Sequence, residues 1–270
     1  MTDTSSAKAT RNVIFLVLVA SLGYFVDIYD LVIFSIVRVK SLHDIGVSDA
    51  DMRLTGVHVI NMQMFGLLLG GILWGILGDK LGRIKVLFGS ILLYSLGNFA
   101  NGMVHDVTWY SIIRFITGIG LAGELGAGIT LVSETLSKEK RGWGTMLVAM
   151  IGLLGAVAAA IVGKYDWRTA YYVGGGLGII LLLLRVGTFE SGMYKNVEKS
   201  EISKGNILML FNDRKRFLKY LYCILIGAPL WYVVGILITQ APEFGKAMGA
   251  KETLSAGTGI LYSYVGISIG

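Results

Sequence analysis

The chain has little cysteine, little proline and little charge: Cys223 alone, Pro229 and Pro242, and 16% charged residues in 270. A lone cysteine excludes a disulfide framework, and its place inside an apolar run reads as a small packing residue. His43, His58 and His105 lie far apart, so the sequence spells out no metal-ligand cluster. No nucleophile–base set, phosphate loop or metal motif occurs either, so neither an enzyme nor a cofactor is expected. A charged fraction of 16% falls well below the roughly 25% of ordinary soluble domains. The net charge of +6 is spread over short loops rather than gathered into a nucleic-acid-binding patch. What is abundant is apolar residues, at 54%, and glycine, at 37 residues, with a mean hydropathy of +0.67. Glycine at that frequency suits helices that pack backbone to backbone in lipid.

Apolar runs of about 20 residues mark helices able to cross a hydrocarbon core about 30 Å thick. The pattern predicts six complete helices, at 12–37, 54–78, 84–104, 107–136, 143–163 and 167–186. A seventh is expected at 217–240, and an eighth begins near Leu254. The first run is too long, and too interrupted by Asp27 and Asp30, for a cleaved signal peptide. Lys and Arg are denser in the loops on the N-terminal side of the membrane, which carry Lys80, Arg83, Lys85, Lys138, Lys140, Arg141 and Arg185. Arg38, Lys40, Arg53, Lys164 and Arg168 fall on the other side, so the N-terminus is expected in the cytoplasm.

Residues 188–216 form the long polar stretch, which contains the apolar patch Ile207-Leu-Met-Leu-Phe211 and then Arg214, Lys215 and Arg216. An amphipathic helix on the inner membrane surface fits this pattern, as does a solvated linker. After Leu254 the sequence is apolar to Gly270 and ends in mid-span. It therefore reads as part of a longer chain.

Charges inside a span cost roughly 2.5–3.5 kcal/mol each at the helix centre, so each needs a reason. Asp27 and Asp30 share one face of helix 1, with Tyr24 and Tyr29 beside them. Helix 4 carries Arg114, Glu124 and Glu134. At 1.5 Å per residue, Asp30 lies about 12 Å, Asp27 about 16 Å and Arg114 about 10 Å below the same membrane face. If helices 1 and 4 are neighbours, Arg114 can pair with either aspartate or both. Such a cluster suits proton coupling, because burial favours the neutral acid and a nearby cation favours the carboxylate. A permanent ion pair that only orients the helices is the alternative. Glu124, about 26 Å into helix 4, is a second proton site or the partner of a polar group elsewhere. Gln63 and the aromatics Trp231 and Tyr232 are further candidates for lining a substrate path, though a packed core position explains Trp231 equally well. On helix 2, Gly66-x-x-x-Gly70 and Gly71-x-x-x-Gly75 read as close-packing faces.

Several motifs carry a family resemblance. The run Gly75-Ile-Leu-Gly78-Asp79-Lys80-Leu81-Gly82-Arg83-Ile84-Lys85 closely resembles the loop between the second and third helices of the major facilitator superfamily. Arg114-Phe-Ile-Thr-Gly118-Ile-Gly120, Gly123-Glu124-Leu-Gly126 and Glu134 through Arg141-Gly142 resemble helix 4 and its ending in proton-coupled porters. Asp27-Ile-Tyr29-Asp30 is similar to the D-x-[FY]-D of aromatic-acid and metabolite:proton symporters. Two departures weaken a sugar substrate: no proline follows Glu134, and Phe189-Glu190-Ser191 keeps only part of the sugar-porter signature. Helix 5 lacks the central proline of antiporters.

The resemblance implies an all-α membrane protein of the major facilitator superfamily fold. Residues 1–187 would be the complete N-terminal six-helix bundle, 188–216 the cytoplasmic linker and 217–270 the start of the C-terminal bundle. It places helices 1 and 4 together around a central cavity. It implies secondary transport by alternating access, with protons and a small organic anion or metabolite as partners. Asp27, Asp30, Arg114 and Glu124 would handle the proton, and Tyr24, Arg114, Gln63, Trp231 and Tyr232 the substrate. Gly75, Asp79, Arg83, Glu134 and Arg141 would form the gate, although a plain topology-setting turn also explains the basic loop. The expected setting is a lipid bilayer, the bacterial inner membrane, with the protein a monomer. A proton-independent facilitator, a sugar-type porter and a non-transporting half-length subunit or sensor are the other readings.

Overall fold

The computed structural model describes residues 3–81, 83–125, 136, 138–190 and 211–269, and every regular element among them is helical. The helices are α1 (Asp3–Asp44), α2 (Met52–Leu81), α3 (Arg83–Asn101), α4 (Val107–Leu125), α5 (Lys138–Val162) and α6 (Trp167–Glu190). They are followed by α7 (Arg214–Tyr232), a π-helical turn at Val233–Ile238, α8 (Ala241–Ala247) and α9 (Ala256–Ile269). Among the described residues five helices are long and apolar enough on their own to span a bilayer. The polar residues of the others, such as Asn98 and Asn101 on α3 and Arg114 and Glu124 on α4, are buried among neighbours rather than facing lipid.

Local chemistry sets several helix starts. The carboxylate of Asp106 accepts from the Trp109 amide at 2.9 Å, Asp166 from Thr169 at 2.9 Å, and Asp213 from Lys215 at 2.9 Å, each meeting an orphan donor of a first turn. The first helix runs beyond the expected 37 to Asp44, because its terminal charges find partners instead of forcing an exit. Lys40 donates to the carbonyls of Gly163 (3.3 Å) and Lys164 (2.9 Å). Gly46, at φ +88, then turns the chain toward α2.

Glycine faces bring the helices together. Gly66 and Gly70 of α2 lie against the backbone of Phe115 and Ile119 on α4, leaving no room for a Cβ. Trp74 of α2 donates its indole N–H to the Ile119 carbonyl at 2.6 Å. Gly71 and Gly75 behave differently from the expected second packing face: nothing among the described residues lies near either. Gly152 and Gly155 of α5 seat α1, and Gly175 and Gly178 of α6 seat α3. The central helix is α1, which touches α2, α4, α5, α6 and α9.

The expected seventh helix, 217–240, begins earlier, at Arg214, and is interrupted. Pro229 cannot donate to the ladder, and the regular helix gives way at Val233 to the π-helical turn. Gln240 then breaks the chain direction before Pro242 opens α8. Cys223 is exposed on α7 rather than packed, because the described residues cover little of that helix.

Candidate functional site

The interior of the bundle is polar along α1. Asp30 and Arg114 are both fully buried, and the Arg114 Nη1 lies 3.4 Å from Asp30 Oδ1. The second guanidinium nitrogen donates to the Asp30 carbonyl at 3.3 Å. Two aromatic faces complete the cradle, Phe34 at 5.8 Å and Tyr171 at 5.5 Å from the guanidinium carbon. The Tyr171 and Tyr110 hydroxyls share a 2.7 Å hydrogen bond, and Tyr110 donates onward to Ser41 at 3.2 Å. Arg114 is therefore held by one carboxylate, one carbonyl and two rings, with every element of the cradle on α1, α4 or α6.

Asp27 does not join that pair. It sits one turn back along α1, 1% exposed, and neither of its carboxylate oxygens has a hydrogen-bond partner among the described residues. One turn further back, a buried ion pair joins Glu124 of α4 to Arg185 of α6. This pair rests on the backbone of Gly23, where a Cβ would strike both the carboxylate and the guanidinium. Asp27 thus lies between two ion pairs on a ladder that follows one face of α1. Tyr94 of α3 reaches the same region, fully buried and with its hydroxyl unpartnered.

The structure brings together Asp27, Asp30, Arg114 and Glu124 of the expected site. Tyr24 borders it, with its ring against Gly152 of α5. Gln63 is buried on α2 with its side-chain amide nitrogen unpartnered among the described residues, and its backbone carbonyl lies against Gly118, one turn from Arg114. Trp231 and Tyr232 stay half exposed on α7, away from this cluster. Of the expected gate, Glu134 and the side chains of Asp79 and Arg83 lie outside the described residues. Arg141 is exposed at the start of α5, and Gly75 faces open space.

Arg185 corrects the sequence reading, which assigned it to the loops. It is 4% exposed inside the bundle, because it is the counter-charge that Glu124 requires. The helical rise would have found it: Arg185 lies about 27 Å along α6 and Glu124 about 26 Å along α4, counted from the same face. A second buried cation, Arg38, also departs from its expected loop position. Its guanidinium contacts Glu243 of α8 at 2.6 Å and the Thr239 carbonyl at 3.2 Å, so the end of α1 is tied to the segment after α7. No sequence signal pairs residues that far apart.

A fixed guanidinium beside a buried acid can exchange that acid for an anionic ligand, and an unpartnered buried carboxylate can carry a proton. Comparison with known proteins finds membrane transporters among its relatives. A putative niacin/nicotinamide transporter of Bacillus subtilis is 30% identical over 68% of this chain and 46% of its own length. The sialic acid transporter of Escherichia coli is 27% identical over 93% of the chain and 64% of its own length. This chain therefore spans about half to two thirds of these curated relatives. The solved xylose transporter of Escherichia coli, in a partially occluded inward-open form, shares the fold with a TM-score of 0.65 at 17% identity. That likeness covers 94% of this chain and 70% of the other. Residues 15–270 match the Major Facilitator Superfamily as a whole, and with a helical bundle built around intramembrane charges, the chain belongs to that superfamily.

Proposed function

We propose that this chain is the N-terminal six-helix half, the linker and the start of the second half of a proton-coupled symporter for small organic anions. The divisions are 1–187, 188–216 and 217–270. The observation that carries this reading is the fully buried Asp30–Arg114 pair with the unpartnered Asp27 beside it. An anionic substrate carboxylate would compete with Asp30 for Arg114, and the displaced or neighbouring acid would take up a proton. Substrate and proton then enter together, and neither moves efficiently alone. Niacin and sialic acid, named for two relatives, are carboxylic acids, which fits a guanidinium as the anchor, although the first relative's name also includes the neutral amide nicotinamide.

Alternating access requires the two halves to separate at one face while they close at the other. With the N-terminus in the cytoplasm, the contact of Arg38 with Glu243 and Thr239 lies at the outer face and holds the halves together there. Reconstituted into liposomes, the full-length protein with both halves is expected to accumulate radiolabelled nicotinate or sialic acid when the outside is made acidic, and Asp27→Asn is expected to abolish accumulation. Uptake that ignores the pH gradient in both proteins would instead identify a facilitator, with Asp27 serving structure.

A further inference from the structure

Around Asp27 the described residues place three acids, Asp27, Asp30 and Glu124, but two guanidinium groups, Arg114 and Arg185. Each guanidinium has a carboxylate in salt-bridge contact, Arg114 with Asp30 and Arg185 with Glu124. Asp27 is the acid left over. An ionised carboxylate with no hydrogen bond in a bundle interior is among the most costly groups to bury, and one proton removes that cost.

The oxygens that could exchange this proton face a common region. Asp27 Oδ1 and Oδ2, the Tyr94 hydroxyl and Glu124 Oε2 are all buried without a hydrogen-bond partner among the described residues. Tyr94 lies within electrostatic reach of Asp27, Glu124, Arg185 and Asp30. Its position is fixed from two sides: Gly120 of α4 lies against its backbone, and a Cβ on Gly178 of α6 would stand 2.9 Å from its ring. Gly120 is one turn from Glu124, and Gly178 is two turns from Arg185, so the glycines that admit the ring also set the carboxylate and its counter-cation beside it. The remaining titratable neighbours are Tyr24 on α1, with Tyr264 of α9 beyond it, and Arg114 on α4.

We infer that Glu124, Arg185 and the Tyr94 hydroxyl form an inner proton-transfer station that receives the proton from Asp27 and passes it toward the cytoplasmic end of the bundle. The inference rests on the proton-coupled reading above. The transfer balances through the tyrosine: the phenol donates its proton to Glu124 Oε2 as it accepts the Asp27 proton, and Tyr94 ends neutral as it began. The oxygens stand beyond hydrogen-bond distance of one another, so a side-chain rotation or one bridging water completes the path. Arg185 is a positioning residue. It holds Glu124 on the backbone of Gly23 as a carboxylate, which leaves Asp27 as the protonated member of the trio.

Two readouts on the full chain test this. Infrared difference spectra of the reconstituted protein at neutral pH are expected to show one protonated carboxylic-acid carbonyl, lost in Asp27→Asn and joined by a second in Arg185→Met, where Glu124 lacks its counter-charge. Tyr94→Phe, which keeps the packing, is expected to lower proton-driven nicotinate uptake about tenfold or more while substrate exchange without net proton movement is retained. Arg185→Lys is expected to keep a single infrared band. A carbonyl band that survives Asp27→Asn, or Tyr94→Phe uptake equal to wild type, overturns the station. If wild type takes up neither nicotinate nor sialic acid, the transport reading fails, and the infrared spectra still decide where the proton sits.

Discussion

Replacing Asp30 separates the structural role of its ion pair from the functional one. In Asp30→Asn, Arg114 remains fully buried and keeps the backbone carbonyl at 3.3 Å and the two aromatic faces, but loses its carboxylate. Removing one partner of a buried pair costs roughly 3–5 kcal/mol. The native contact of 3.4 Å is long for a charge-assisted bond, and the rings retain part of the stabilisation, which places the loss near the lower end, about 3 kcal/mol. At about 2–4 °C per kcal/mol for a chain of this size, Asp30→Asn is expected to unfold about 6–12 °C below wild type. Removing both charges, in Asp30→Leu with Arg114→Met, is expected to restore most of that stability, because no uncompensated charge is left in the interior. Thermal unfolding of the purified protein in detergent, followed by light scattering, reads both stability effects, and proton-driven uptake reads function. Asp30→Asn and the double variant are both expected to be inactive. If the double variant recovers uptake along with stability, the pair only orients α1 and α4. If Asp30→Asn melts with wild type, the account of Arg114's burial is wrong.

Gly66→Val puts a side chain into the α4 backbone and is expected to cost about 3 kcal/mol or more, whereas Gly71→Val, in open space, is expected to change the unfolding temperature little. Comparing the two melts checks which of the helix 2 glycine pairs is a packing face. Arg38→Gln removes the contact with Glu243 at 2.6 Å, so a cysteine introduced by Thr239→Cys, in a Cys223→Ser background, is expected to react faster with an impermeant maleimide from outside. Equal rates with and without Arg38→Gln would show that this contact does not hold that face closed. Gly23→Leu would drive a side chain into the Glu124–Arg185 pair, and loss of folded protein on size-exclusion chromatography is the expected result.

The class of fold and the location of most helices were legible in the sequence, because a helix that must satisfy its own backbone in lipid needs a long apolar run, and such runs are visible residue by residue. Capping aspartates such as Asp106 and Asp166 also fix helix starts through local bonds, but the sequence reading did not single them out. The depth match of Asp30 with Arg114 also followed from helical rise alone, and the family motifs supplied the adjacency of their helices. Which acid each cation would choose did not follow. Arg185 and Arg38 read as loop charges, since Lys and Arg near a predicted helix end look alike whether they meet water or a buried carboxylate. Their partners, Glu124 and Glu243, lie on other helices, and such pairings are set when glycine faces on α1, α4 and α6 close together. Pattern along the chain thus determined that charges stand inside a membrane bundle. Packing between helices decided that Asp30 and Glu124 are paired while Asp27 is left over, because the cost of an unpaired buried charge depends on neighbours that only the folded chain assembles.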